Sequence, residues 1–243
     1  MKLLRRLIRT AFRRLGYHVS QRPQLLDDFD SHLAGLLPRL GVNCVLDVGA
    51  HWGEYATSLR RLGFDGRTVS FEPVAQSYER LAVVARSDDH WLVRNVALGS
   101  LNERRMINVP EGTVFASFFE PNKFGLERFP KSSVGHMEEV EVRTLDSMVD
   151  SCLEGLSQPK VYLKLDTQGW DLEVLNGSRT ALQYVVGLQS ELSVKPIYVG
   201  MPSYLQVLDA IQGLGFGLTG IYPISRDRNS QIIEFDAVFI RVG

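Results

Sequence analysis

The side chains best suited to chemistry stand at the ends of apolar runs. The first group is Asp47-Val48-Gly49-Ala50-His51-Trp52-Gly53. An apolar run ends there at an acid, passes through a glycine-bearing turn and enters an amphipathic segment. Such a turn holds a nucleotide-type ligand, because glycines let the backbone approach and the ligand lies outside the strand's carboxyl end. Glu72, in Ser70-Phe71-Glu72-Pro73, ends a second apolar run 23 residues beyond Gly49. A carboxylate at that place accepts both hydroxyls of a ribose, although a bare solvent-facing acid is the simpler alternative. Asn95-Val96-Ala97-Leu98-Gly99 follows a third run, and turn formation accounts for Asn95 almost as well as ligand contact does. In Leu163-Lys164-Leu165-Asp166-Thr167-Gln168-Gly169-Trp170-Asp171, Lys164 and Asp166 share one face of a strand. A buried lysine beside an aspartate is satisfied as an ion pair, so the spacing serves either a reacting carboxylate or a structural pair. Asp171 favours the dipole of the helix that follows. Glu191 ends a fifth run, within reach of a substrate or on the rim. His51 and His136 have side chains matched to proton transfer near neutral pH. No cluster with metal-ligand spacing is visible, so no metal is expected; Asp166 with another carboxylate is the one alternative.

Periodicity supplies the elements that must hold these residues. Strands are expected at Asn43–Val48, Thr68–Phe71, Trp91–Val96, Val140–Thr144, Val161–Leu165, Val185–Ser190, Gly217–Ile224 and Phe235–Val242. Helices are expected at Gly53–Leu62, Val74–Arg86, Asp146–Leu153, Trp170–Leu175 and Ser203–Leu214, the last with a capping box from Ser203 and Gln206. Gln24–Leu37 reads as a helical lead-in broken by Pro38 and Gly41. Gly99–Glu139 reads as an irregular stretch that covers the pocket. Alternating strands and helices imply a doubly wound parallel sheet with helices on both faces. The last two strands have no helix between them and must pair as an antiparallel hairpin. This α/β layout, mostly parallel with a C-terminal antiparallel hairpin, resembles the Rossmann-like class I methyltransferases. In that layout the first turn wraps the amino-acid end of S-adenosylmethionine, Asn95–Gly99 lines the adenine, and Asp166 faces the transferred methyl. A dinucleotide fingerprint would need a glycine at His51. Its absence and the terminal hairpin argue against an NAD(P)-dependent oxidoreductase, the alternative enzyme class.

The ordered set DVGAHWGEY, SFEP, NVALG, RTLDSMVD and LKLDTQGWDLEVLNG, with the acid after the fifth strand, spans roughly Val42 to Val242. It resembles the FkbM family of S-adenosylmethionine-dependent O-methyltransferases, and LKLDTQGWDLEVLNG is its most diagnostic segment. The resemblance implies S-adenosylmethionine as cofactor, with Asp47, Gly49, Ala50, His51, Gly53, Glu72, Asn95, Ala97 and Asp166 around it. It implies methylation of a hydroxyl on a sugar, with a polyketide or another small natural product as the alternative. Gln168, Trp170 and Glu191 are the expected acceptor contacts. Asp166, His51, Lys164 and His136 are the expected catalytic residues. The sequence departs from the family at His51, where Asn is frequent, and at Trp170-Asp171, where a small or apolar residue precedes Glu. The reaction would be in-line displacement at the methyl by the acceptor oxygen, which asks the protein mainly for alignment. Asp166 ranks first as base, then His51, then His136. An aspartate of ordinary pKa near 3.9 is a weak base toward an alcohol, and serves when proton loss is concerted with transfer.

Composition sets the remaining bounds. The 243 residues are 44% hydrophobic and 23% charged, with two cysteines, enough for one large α/β domain and too few for a disulfide framework. Residues 41–243 are expected to be that domain. Residues 1–26 hold seven basic residues and no acid, leaving 20 basic against 28 acidic residues in the remainder. An acidic body argues against a nucleic-acid partner. So does Asp-Thr-Gln-Gly, which stands where base amino-group methylation uses an Asn/Asp-Pro-Pro-aromatic segment. The joint presence of Asp47, Glu72, Lys164 and Asp166 argues against a non-catalytic scaffold. Leu3, Leu4, Leu7, Ile8, Ala11, Phe12 and Leu15 line one face of a basic amphipathic helix over residues 1–16, suited to an anionic membrane surface. Arginines interrupt any signal-peptide core. The alternative is a helix packed on the domain or on a second copy in a homodimer. Together these features give the expectation of a cytoplasmic enzyme, peripheral at the inner face of the plasma membrane, with a glycolipid acceptor.

Overall fold

The computed structural model describes residues 28–242; the basic segment over residues 1–16 and the first residues of the lead-in lie outside them. Helix α1 (Phe29–Leu40) is capped by Asp28, whose carboxylate accepts the Ser31 N–H at 2.8 Å. It runs through Pro38 and ends at Gly41, where φ is 66°. The break expected at Pro38 does not occur. Pro38 and Ala34 lie on the exposed side, so the carbonyl that proline leaves without a donor has water available. Leu33, Leu36 and Leu37 pack with Val45, Leu59, Tyr162 and Val238, so α1 belongs to the domain core and the boundary drawn at residue 40 does not separate it.

Strand β1 (Cys44–Val48) is wholly buried and leads through the glycine turn into α2 (Glu54–Arg61). Then come β2 (Arg67–Phe71), α3 (Ala75–Ala85) and β3 (Trp91–Arg94). The third strand was expected to reach Val96. It stops at Arg94, and Ala97–Leu98 departs as β4 into a second sheet. That sheet overturns the irregular reading of Gly99–Glu139. Strands β5 (Glu103–Pro110) and β6 (Val134–Arg143) pair antiparallel from Glu103↔Val142 to Pro110↔Val134, giving the order β4-β6-β5. Ile107, Val109, Val140 and Val142 face inward, while Arg104, Glu139 and Glu141 face out. Alternation with charges on one face is the mark of a half-covered strand. Helix α4 (Lys123–Arg128) lies in the connection between them.

The remainder is α5 (Leu145–Leu153), β7 (Val161–Leu165), α6 (Asp171–Asn176), β8 (Val185–Ser193), α7 (Tyr204–Gly213), β9 (Phe216–Arg226) and β10 (Ile232–Arg241). The capping box at Ser203 and Gln206 is present. The main sheet runs β3-β2-β1-β7-β8-β10-β9, parallel through β8, with β10 antiparallel to both its neighbours. This is the doubly wound layout with a terminal antiparallel hairpin. Alternation decides what covers each face: Val45 and Tyr162 meet α1, while Leu46 and Leu163 meet Leu145 and Val149 of α5. The chain leaves β1 for β2 on one side and returns to β7 on the other. A crevice opens at such a reversal, beyond the carboxyl ends of the strands.

Candidate functional site

The β1 turn is shaped by close approach. Gly49 has φ of 80°, and a Cβ there would stand 2.0 Å from the Asp166 carbonyl oxygen. His51 also takes a left-handed φ of 48°, which turns its N–H to Glu72 Oε2 at 2.8 Å. Glu72 Oε1 accepts the Val74 N–H at 2.9 Å. Burial pushes the Glu72 carboxyl up to about 7 against the pull of these two N–H groups.

Below the turn, Asp47 pairs with Lys164 across the β1–β7 register. Lys164 Nζ lies 3.2 Å from Asp47 Oδ1 and 3.3 Å from Asp166 Oδ2, and donates to the Gly49 carbonyl at 3.1 Å. Burial alone would depress the lysine, but the Asp166 and Asp47 carboxylates hold it above its ordinary value. Asp166 Oδ1 accepts the Gln168 Nε2–H at 3.1 Å, so both of its oxygens are engaged. Asp171 is buried at the start of α6, where it accepts from Thr167 and Ser190 hydroxyls.

Two cavities meet over this turn. The first is a mostly apolar slot with Phe71, Glu72, Pro73, Val96, Ala97, Leu98, Ile107 and Phe118 in its wall, and Gln168 and Trp170 at its β7 side. Trp170 packs against Phe118 at 4.8 Å between ring centres, Arg105 lies 4.7 Å from its ring, and its buried Nε1 has no hydrogen-bond partner among the described residues. The second is a cleft of about 980 Å³ lined by Phe29, Trp52, Tyr55 and Phe115 and by Glu54, Lys164, Gln189, Glu191 and Asp236. Gly49, His51, Thr113, Val114 and Asp166 line both. His51 closes part of the boundary. Its Nε2 is 2.8 Å from Thr113 Oγ1 and its Nδ1 is 3.3 Å from Glu54 Oε1. Burial lowers its pKa although Glu54 opposes the shift. In the second cleft burial and then the neighbouring acids raise Glu191 well above a normal carboxyl, and burial pushes Asp236 up to about 6.

The structure therefore brings Gly49, His51, Glu72, Ala97, Asp166, Gln168 and Trp170 to the first cavity, and Ala50, Lys164 and Glu191 to the second. Gln168 and Trp170, expected on the acceptor side, line the slot instead. Asp47, Gly53, Asn95 and His136 line neither. Gly53 caps α2 with φ of 87°, where a Cβ would meet the Trp91 ring at 2.7 Å. Asn95 donates to the Glu72 and Pro73 carbonyls at 2.9 and 3.0 Å. His136 stands exposed on β6, 4.0 Å from Glu138. The sequence reading missed Thr113 and Tyr198, which lie in connections without periodicity. It also passed over Glu234 and Asp236, two acids at alternate positions of an apolar strand, a pattern open to notice. No group of three or more potential metal ligands exists among the described residues.

A family model described as the methyltransferase FkbM domain matches residues 47–217. Among solved structures, an rRNA methylase from Streptococcus thermophilus is 10% identical with a TM-score of 0.49, over 90% of this chain and 99% of that one. Aeropyrum pernix fibrillarin in complex with natively bound S-adenosyl-L-methionine is 10% identical with a TM-score of 0.42, over 82% and 66%. Precorrin-6y C5,15-methyltransferase from Geobacter metallireducens is 9% identical with a TM-score of 0.44, over 92% and 94%. No curated protein matches the chain.

Proposed function

The chain belongs to the FkbM methyltransferase family by a match spanning residues 47–217, and on that premise we propose that it methylates a hydroxyl of a sugar on a glycolipid or related glycoconjugate. S-adenosylmethionine is the cofactor of this family, and the first cavity fits it. Glu72 is 6% exposed, with both oxygens aimed by backbone N–H groups. A carboxylate so buried gains from two ribose hydroxyl donors. The apolar walls from Phe71, Val96, Leu98, Ile107 and Phe118 suit a flat base.

One observation carries the transfer reading: the two cavities share Gly49, His51 and Asp166. The bound cofactor supplies a methyl group made electrophilic by its sulfonium. Asp166 stands where that methyl and an acceptor hydroxyl from the second cleft would face one another. Lys164 and Gln168 fix the orientation of the Asp166 carboxylate, leaving the remaining lone pairs for the hydroxyl proton. His51 is the weaker candidate base, because both ring nitrogens already have partners in Glu54 and Thr113. His136 is out of reach of both cavities. Aromatic faces at Phe29, Trp52, Tyr55 and Phe115 beside Glu54, Gln189, Glu191 and Asp236 suit a ring with apolar faces and hydroxyl edges. The acidic body weighs against a nucleic-acid acceptor.

The test is incubation of the full chain with glycolipid extracts and S-adenosylmethionine carrying a deuterated methyl, followed by mass spectrometry. Label in a glycolipid sugar is the expected result; label confined to nucleic acid or to a sugar-free product overturns the acceptor class. Asp166→Asn should lower transfer by about 10²-fold or more, with S-adenosylhomocysteine affinity by calorimetry staying within a few-fold of wild type.

A further inference from the structure

The buried network that orients Asp166 extends beyond the single Gln168 contact used above. Gln168 has φ of 52°, a left-handed backbone that a glutamine holds only where its surroundings impose it. Its carbonyl accepts the Ser117 hydroxyl at 2.8 Å and its side-chain Oε1 accepts the Tyr198 hydroxyl at 2.8 Å. Its Nε2 donates to Asp166 Oδ1 at 3.1 Å and to Glu191 Oε1 at 3.3 Å. Ser117 and Tyr198 are 1% and 2% exposed, so neither bond has water as a substitute. Both amide hydrogens are thus spent, one on each carboxyl group.

The reverse orientation of this amide would set Oε1 against two carboxyl groups. That is repulsive unless one of them carries a proton to donate. Tyr198 is equipped for both cases. Its hydroxyl lies 3.2 Å from the Phe115 carbonyl as well as 2.8 Å from Gln168. With the amide turned, the Tyr198 oxygen accepts one amide hydrogen and its own proton goes to Phe115. The two arrangements differ by one proton on the acid pair, and the turned one gives only one of the two amide hydrogens an acceptor, so Tyr198 favours the unturned one. Tyr198 stays a donor throughout, since burial and the nearby Glu234, Glu191 and Asp166 raise its pKa.

The two acids are not equivalent. Asp166 has the Lys164 ammonium at 3.3 Å, whereas Glu191 has no ion pair among the described residues. Glu191 is faced by Lys164 on β7 and Asp166 just past its end, by Glu234 and Asp236 from β10, and by the Gln168 amide. Burial and the three acids all favour its neutral form, and the Lys164 charge and the Gln168 amide hydrogen oppose them.

We propose that Tyr198 and Gln168 are positioning residues for the acceptor's proton: Tyr198 holds the Gln168 amide with its hydrogens on Asp166 and Glu191, and the amide turns over when that pair takes up a proton. The inference rests on the reading of Asp166 as the group that receives the proton. In that step the acceptor O–H bond breaks and its proton passes to the Asp166 carboxylate. The new O–C bond forms as the methyl's bond to sulfur breaks, with that electron pair staying on sulfur. The carboxyl of the pair that carries the proton then donates a hydrogen bond to Gln168 Oε1, and the Tyr198 hydroxyl donates to the Phe115 carbonyl.

The experiment is a pH titration of carboxyl carbons by ¹³C NMR on the full chain saturated with S-adenosylhomocysteine, with signals assigned from Glu191→Gln and Asp166→Asn. Tyr198→Phe removes the donor that locks the amide toward the carboxylates. The Glu191 midpoint should therefore rise, by about one pH unit. In a Gln168→Met background the same change at Tyr198 should move it by much less, because the intermediary is gone. A Glu191 midpoint that ignores Tyr198→Phe overturns the proposal, and so does an equal shift with and without Gln168. Should Gln168→Met not fold, the Tyr198→Phe titration decides alone, with thermal melting as the check that its fold is intact. The titration needs no acceptor, so it separates the two failures: active Asp166→Asn removes the base, and a flat Tyr198→Phe titration removes the positioning pair.

Discussion

At the residue scale the site is built from carboxyl groups held out of water, and Glu72 shows what that implies. Its ordinary value is 4.5 and burial lifts it to about 7. The folded protein therefore keeps a proton that the unfolded chain loses. Stability falls as pH rises from about 4.5 to about 7 and is flat above, for a total cost of roughly 3 kcal/mol. Ribose hydroxyls would donate to the ionised form and draw the value back down. Binding of S-adenosylhomocysteine at about pH 6.5 should then release a good part of one proton, and near pH 8 almost none. Calorimetry in two buffers of different ionisation enthalpy reads this directly. Glu72→Gln should abolish the release, flatten the stability profile over that range and weaken binding by about tenfold or more. Release that persists in Glu72→Gln would place the titrating group elsewhere. The sequence made Glu72 legible because an acid at a strand end, at the right distance from a glycine turn, has one familiar use. It could not show the proton, which depends on how fully the fold takes the carboxyl out of water against the pull of the Val74 and His51 N–H groups.

At the element scale, what the sequence disclosed follows from burial on both faces. β1, β2 and β7 are buried almost throughout and bounded by Gly, Pro or acid, so their ends were legible to within a residue or two. β5 and β6 are covered on one face, and Glu103, Arg104, Arg105, Glu138 and Glu139 made β5 and the first part of β6 resemble loops, while the end of β6 was expected as a strand from Val140. With them went the role of the segment they carry, since Thr113 follows β5 and reaches His51 at 2.8 Å. That bond ties the second sheet across the boundary of the two cavities. Thr113→Val keeps the shape and removes the hydroxyl. A neutral hydrogen bond contributes about 1 kcal/mol, so S-adenosylhomocysteine should dissociate about fivefold faster in stopped-flow measurement, with little change in melting temperature. An unchanged rate would mean that this segment does not retain the cofactor. Gly49→Ala is the opposite kind of change. Its Cβ meets the Asp166 carbonyl at 2.0 Å with φ at 80°, so the β1 and β7 ends must separate. Urea denaturation should show a loss of about 2 kcal/mol or more, with cofactor binding lost as well.

At the scale of the whole molecule the controlling feature is charge. Seven basic residues and no acid lie in residues 1–26, against an acidic excess of eight in the rest. Phe29, the second described residue, lines the larger cleft, the cavity proposed for the acceptor. No described helix is long and apolar enough to cross a membrane. A basic segment with one apolar face would instead bind at an anionic surface, at about 1 kcal/mol per Lys or Arg near the headgroups. This placement would let the cleft draw a lipid-linked sugar from the surface without the lipid leaving it. The full chain should therefore co-sediment with vesicles containing phosphatidylglycerol, less so with pure phosphatidylcholine, and the binding should weaken as salt approaches about 0.5 M. Reversing Arg5, Arg6, Arg9 and Arg13 to Glu should remove several kcal/mol of attraction, and with it vesicle binding, while S-adenosylhomocysteine affinity holds. Methylation of detergent-solubilised glycolipid should survive the reversal, and methylation of the same glycolipid embedded in vesicles should fall. Vesicle binding that is indifferent to the four reversals would exclude the membrane role. If light scattering then showed that they dissociate a dimer, the apolar face would pack on a second copy of the chain.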